Sequence, residues 1–125
     1  MAEIARSIPL PLPVNLDAED KNWVEPDISV ICDKSKLTER GCSGAPDLIV
    51  EIVSPSSRKM DYIRKTNLYL DSGVREYWIV DPAKGYTIKY YFEDDDAPVI
   101  LPFNEILTAQ IYQNQLSVCI ADLLK

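Results

Sequence analysis

The residues of this chain best placed to do chemistry are carboxylates set among aliphatics. In "PDLIVEIVSPSS", residues 46–57, Glu51 interrupts Leu48, Ile49, Val50, Ile52 and Val53, which otherwise read as one buried strand. An unpaired ionised carboxylate in such surroundings costs on the order of several kcal/mol even after relaxation. Three ordinary arrangements relieve that cost. Glu51 can face solvent on a half-covered sheet, pair with a helix cation such as Lys65, or hold its proton. The fourth arrangement is a metal ion, and two nearby acids bear on it. Asp27 lies within "EPDISV", and Asp47 opens the strand that carries Glu51. Asp47 and Glu51 share a face, but four residues of strand span roughly 13 Å, too far for one small ion. Asp27 and Glu51 converge if their strands are neighbours, about 4.8 Å apart. Two hard oxygen ligands on adjacent strands suit Mg²⁺, or Mn²⁺ in its place, because such an ion takes one or two carboxylates and keeps several waters. It can activate water and stabilise charge on a phosphoryl centre.

Other chemistries are closed off. The chain has no histidine and no CxxC pair, which excludes the common zinc sites and histidine-based acid–base or nucleophilic mechanisms. Its three cysteines, Cys32, Cys42 and Cys119, are scattered and odd in number, so no disulfide framework is expected. A net charge of −7 works against broad nucleic-acid binding without forbidding a local basic patch.

The elements that must position these acids follow from pattern. At 125 residues, 46% hydrophobic and 26% charged, the chain reads as one soluble globular domain over residues 1–125. No apolar run reaches the roughly 18 residues of a membrane span. The first residues lack a secretion-signal pattern, so the cytoplasm is the default compartment. "SIPLPLPV", residues 7–14, alternates proline with aliphatics and suits an edge strand or extended arm. "VEPDISVIC" reads as a strand with Asp27, Ser29 and Ile31 on one face and Ile28, Val30 and Cys32 on the other. "DKSKLTERGCSGA" reads as a loop, and "PDLIVEIVS" as the more buried second strand.

The segment from Ser56 to Gly73 predicts a helix whose stripe is Tyr62, Ile63, Thr66, Tyr69 and Leu70, with Lys65 on its flank. Ser56 or Ser57 caps its start, and Gly73 suits the left-handed position beyond its end. "REYWIVDP" is a third buried strand, with Tyr77 and Trp78 as packing residues and Asp81 as a turn former. "YTIKYYF" and "PVILPF" follow as strands joined through the acidic turn "EDDDA". "LSVCIADLLK" closes as a strand or short helix. Strand, helix, strand implies a βαβ unit in a mixed sheet. Lys34, Lys36 and Arg40, with Arg58 and Lys59, flank the site strands and could meet phosphates, although mixed-charge loops are ordinarily wet surface.

Three blocks in order, "EPDISVICDKSKL", "GAPDLIVEIVSPSS" and "DYIRKTNLYLDSGVREYWIVDP", resemble the bacterial restriction-endonuclease-like proteins called the Uma family, itself similar in fold to the PD-(D/E)xK nucleases. The likeness covers roughly residues 24–82. It implies an α/β restriction-endonuclease-like mixed sheet with one main helix between the central strands. It further implies a metal-dependent phosphodiesterase core acting on nucleic acid, with DNA the first expectation and RNA the second. Asp27 and Glu51 would hold the ion, and the backbone carbonyl of Ile52 would complete its shell. The superfamily lysine two residues beyond the acid is replaced by Val53, and Lys65 on the helix is the substitute, so Asp27, Glu51 and Lys65 form the expected catalytic set. The plain alternative for Lys65 is a solvated lysine paired with Asp61 one turn earlier.

Family members carry a further N-terminal helix with another acid, and additional strands. This chain is expected to be short there, which would leave sheet surface uncovered and favour a homodimer. A non-catalytic remnant that keeps the fold and binds partners is the rival expectation.

Overall fold

The computed structural model describes residues 6–8, 12–17, 22–54, 59–94, 97–112 and 116–119. In chain order the strands are β1 (Arg6–Ile8), β2 (Val14–Asn15), β3 (Trp23–Val24), β4 (Ile28–Ile31), β5 (Leu37–Thr38), β6 (Gly41–Ser43) and β7 (Leu48–Ile52). Helix α1 (Lys59–Ser72) follows, then β8 (Glu76–Asp81), β9 (Tyr86–Tyr91), β10 (Val99–Pro102), β11 (Ile106–Ala109) and β12 (Leu116–Cys119). The main sheet has the order β1-β4-β7-β8-β9-β10, with β7 and β8 parallel and every other pair antiparallel. The β7–α1–β8 crossover is the βαβ unit the alternating apolar runs imply, and the sheet is mixed as expected.

Side-chain alternation divides the core in two. Ile31, Ile49, Tyr77 and Ile79 face α1 and pack around its buried Tyr69, while Val30, Leu48, Val50, Trp78 and Val80 face the other way, beneath Leu107 and Ala109 of β11. Glu51 occupies an α1-facing position, because Ile49 and Glu51 alternate with Leu48, Val50 and Ile52.

Three local expectations are corrected. The stretch from Val24 to Cys32 is two strands, not one. β3 belongs to a second sheet of order β3-β2-β6-β5, and the chain crosses to the main sheet through Glu25, Pro26 and Asp27. Pro26 is buried at that crossing. The stretch from Asp33 to Ala45 is not a plain loop: it holds a turn of 3-10 helix capped by Asp33, then β5 and β6. Its Cys42 joins Val14 and Leu16 in the α1-side core. Gly41 makes this possible, since its φ is 128° and a Cβ there would stand 2.1 Å from the carbonyl oxygen of Pro13. That oxygen accepts the amide of Cys42 at 2.9 Å.

The helix face is also turned from its expected bearing. Tyr62, Thr66 and Tyr69 lie inward as read, but Ile63 and Leu70 are each 48% exposed, and the half-buried Lys65 faces the sheet instead. The capping serines, Ser56 and Ser57, lie outside the described residues. Gly73 ends the helix at φ 92°, where the amide of Val74 donates to the carbonyl of Tyr69 at 3.1 Å.

Candidate active site

Antiparallel pairing of Ile28 with Val50 and Ser29 with Ile49 sets Asp27, just before β4, across from Glu51. The two acids clasp each other's backbone. Asp27 Oδ2 accepts the amide of Ile52 at 2.7 Å, and Glu51 Oε1 accepts the amide of Asp27 at 3.3 Å. Glu51 is 4% exposed, so its other oxygen also needs partners. Lys65 Nζ donates to Oε2 at 2.8 Å, and the Tyr69 hydroxyl donates to the same oxygen at 3.1 Å. Both donors come from one helix face, four residues apart. Glu51 is therefore an ionisable group inside the fold, supported by a lysine rather than turned to solvent. Lys65 pairs with Glu51 and not with Asp61.

The surroundings keep the tyrosines neutral. Burial first, then the Glu51 charge, raises the Tyr69 hydroxyl far above its ordinary range, so it remains a donor at any working pH. Tyr77 is raised by the same two causes, with Asp27 contributing more weakly. Tyr77 meets Tyr69 edge-on at 5.0 Å between ring centroids. Its hydroxyl and that of Ser29 are buried and find no hydrogen-bond partner among the described residues.

Asp47 is not part of this group. It accepts the amide of Cys32 at 2.7 Å through Oδ2 and pairs through Oδ1 with Arg75 at 3.4 Å, tying β4 to β8. Trp78 is core, as expected, and Asp81 caps a turn by accepting the amide of Lys84 at 3.1 Å. Cys42 is a free thiol, and burial raises its pKa. Among loop cations, Lys36 is drawn inward to the carbonyl of Ala45 at 2.9 Å.

A second buried carboxylate was not read from the sequence. Glu76 is fully buried on the opposite sheet face, where the indole of Trp78 donates to Oε2 at 2.6 Å and the amide of Ile111 to Oε1 at 3.1 Å. Lys89, also buried, lies 3.9 Å away and donates to the carbonyl of Thr108. Desolvation raises the pKa of Glu76 against the Trp78 hydrogen bond, and desolvation lowers that of Lys89. The pair fastens β11 and the turn after it to the sheet. The available signal was alternation: Glu76 shares a face with Trp78 and Val80, and Lys89 with Thr87.

Among the described residues no group of three or more carboxylate or thiolate side chains converges. The donor set of Asp27 and Glu51 still fits a magnesium-type ion, which needs only one or two carboxylates. Asp27 Oδ2 and Glu51 Oε1 each keep a lone pair beyond the one bond described above, whereas Glu51 Oε2 already accepts two.

A mixed sheet with one helix laid over paired acids and a lysine makes this an α/β protein. The chain belongs to the Uma2 family, described as "Putative restriction endonuclease", whose model matches residues 3–118. No curated protein matches it. Among solved structures it is similar to a crystal structure described as a putative nuclease belonging to DUF820 from Anabaena variabilis ATCC 29413. The TM-score is 0.73 at 23% identity, over 96% of this chain and 68% of that one. That likeness shows the shared fold, and the α/β reading of the sequence is correct.

Proposed function

We propose that the chain is a nuclease that hydrolyses phosphodiester bonds of nucleic acid with Mg²⁺ or Mn²⁺. The observation that carries this reading is the Asp27–Glu51 clasp with Lys65 held 2.8 Å from the glutamate. Asp27, Glu51 and the carbonyl of Ile52 would hold the ion. When bound, it supplies positive charge that favours hydroxide over water and offsets charge building on the phosphoryl oxygens.

The chain's own residues do the positioning. Tyr69 fixes Glu51 Oε2, and the reciprocal backbone bonds fix the spacing of the two acids. Lys65 is 30% exposed at its side chain, so its remaining N–H groups can meet a phosphate oxygen or the attacking water. The water oxygen forms a bond to phosphorus, the bridging P–O bond breaks, and the leaving oxygen takes a proton. Purified protein with Mg²⁺ or Mn²⁺ should cleave DNA or RNA, and the Glu51→Ala variant should not. Cleavage that survives Glu51→Ala, or no cleavage of any substrate, rejects the assignment.

One observation favours the rival reading of a non-catalytic, partner-binding remnant: both Glu51 oxygens already accept bonds from protein donors. Calorimetric titration separates the two. The nuclease reading requires Mg²⁺ or Mn²⁺ binding that weakens in Asp27→Asn, and a silent titration favours the remnant.

A homodimer accompanies either reading. Strand β10 forms one edge of the main sheet, with Val99 and Ile100 exposed by 50% and 60%. An apolar edge of that kind invites strand pairing with a second copy. A single monomeric species in sedimentation at high concentration rejects it. Among the described residues no helix is long and apolar enough to cross a membrane.

A further inference from the structure

The first turns of α1 stand away from β8 and β9, leaving a groove of about 300 Å³ beside the acids. Lys59, Tyr62 and Thr66 line its helix side, and Ile79, Ile88 and Tyr90 its sheet side. The groove adjoins the candidate site at two points. Tyr62 sits three residues before Lys65, whose Nζ lies 5.9 Å from the Tyr62 ring centroid. Ile79 is the ladder partner of Glu51.

Its chemistry is unlike that of the surface at large. The chain has 20 acidic and 13 basic residues, yet among the described residues the groove is lined by a lysine and no carboxylate. One tyrosine lines each side of the groove, and the ring of Tyr90 lies nearly parallel to that of its cross-strand neighbour Tyr77, 6.0 Å away between centroids. A ring held by such a neighbour gives a flat surface with a polar rim, the kind on which a planar heterocycle stacks.

We infer that this groove receives an unpaired base of the nucleic-acid strand whose phosphate lies across Asp27 and Glu51. The inference rests on the proposed function for its choice of occupant. It adds a specificity element: the strand is gripped through one base's face as well as through phosphate. Stacking is tolerant of base identity, so the grip distinguishes the presence of a base and not its sequence.

The test measures binding in EDTA, where cleavage does not intervene. A fluorescently labelled thymidine oligonucleotide and an abasic strand of the same length are titrated with protein, with anisotropy as the readout. The intact strand should bind about tenfold tighter, and Tyr62→Ala should erase most of that difference. Tyr62→Leu, which keeps apolar bulk, guards against simple unfolding and should also lose the preference while melting near the wild type. Ile106→Ser, on exposed β11, should leave it intact. Equal affinity for the two strands, or a preference that survives both Tyr62 variants, overturns the inference. So does a Tyr62 effect confined to the monomer–dimer equilibrium, which would make the groove a self-association face. Base-dependent binding without any cleavage in Mg²⁺ supports the groove and rejects the nuclease reading. Cleavage without base dependence does the reverse.

Discussion

Asp27 and Glu51 each hold the other's strand by its backbone: the aspartate accepts the amide after Glu51, and the glutamate accepts the amide of Asp27. The acids are thus structural as well as candidate ligands, and their removal should register without any substrate. Glu51→Ala strands the Asp27 amide, the Tyr69 hydroxyl and the Lys65 ammonium. Lys65 keeps some contact with water, so a loss of about 2 kcal/mol is expected. Urea denaturation measures it; an unchanged midpoint means the network is not formed in solution.

Lys65→Met removes the cation but keeps the stem that runs along the sheet. Stability should fall by about 1–2 kcal/mol, since Glu51 then relies on neutral donors. Cleavage should fall on the order of 10²-fold, as when a charge-stabilising donor is deleted. A variant that cuts normally assigns Lys65 to scaffolding alone.

Glu76 and Lys89 offer a test on the other sheet face. Lys89→Met leaves a fully buried carboxylate without its cation and should cost about 3 kcal/mol. Adding Glu76→Gln to it should cost much less than the sum of the single changes. Additive losses in thermal melts would show that the two do not interact.

The same glutamate carries a pH signature. Its folded pKa is raised above the ordinary value of 4.5, mainly by desolvation. Above 4.5 the unfolded chain has therefore lost a proton that the folded chain still holds. The folded state binds more protons there, so this group's contribution to stability declines as pH rises from 4.5. The stability of the wild type minus that of Glu76→Gln should shrink as pH rises from 4.5. A difference that grows instead contradicts burial as the governing cause.

Gly41 should be intolerant. Gly41→Ala must place a methyl against the Pro13 carbonyl while keeping a positive φ, a loss of about 3 kcal/mol or more. Gly73→Ala has positive φ but open space around it, and should cost only about 1 kcal/mol. Comparable melting temperatures for the two variants would deny the close approach.

The main sheet, its βαβ unit and the meeting of Asp27 with Glu51 were readable because long apolar runs with a misplaced charge are strong signals. Strands of two or three residues, such as β2, β3, β5 and β6, are too short for periodicity to register. The helix face was misjudged at Ile63 and Leu70, since hydropathy alone gives no weight to a lysine drawn inward by a buried acid. Glu76 went unread for a related reason: its partners Lys89 and Ile111 lie far along the chain, on elements whose docking no local pattern announces.

The crossing at Glu25–Pro26–Asp27 gives the paired acids unequal footing. Glu51 sits within β7 beside its β8 ladder partner Ile79, whereas Asp27 rides on the tether joining two sheets. A strain that reached Asp27 from the small sheet would first have to break its two reciprocal bonds with β7. The clasp therefore stitches the two sheets together at the point where the acids meet.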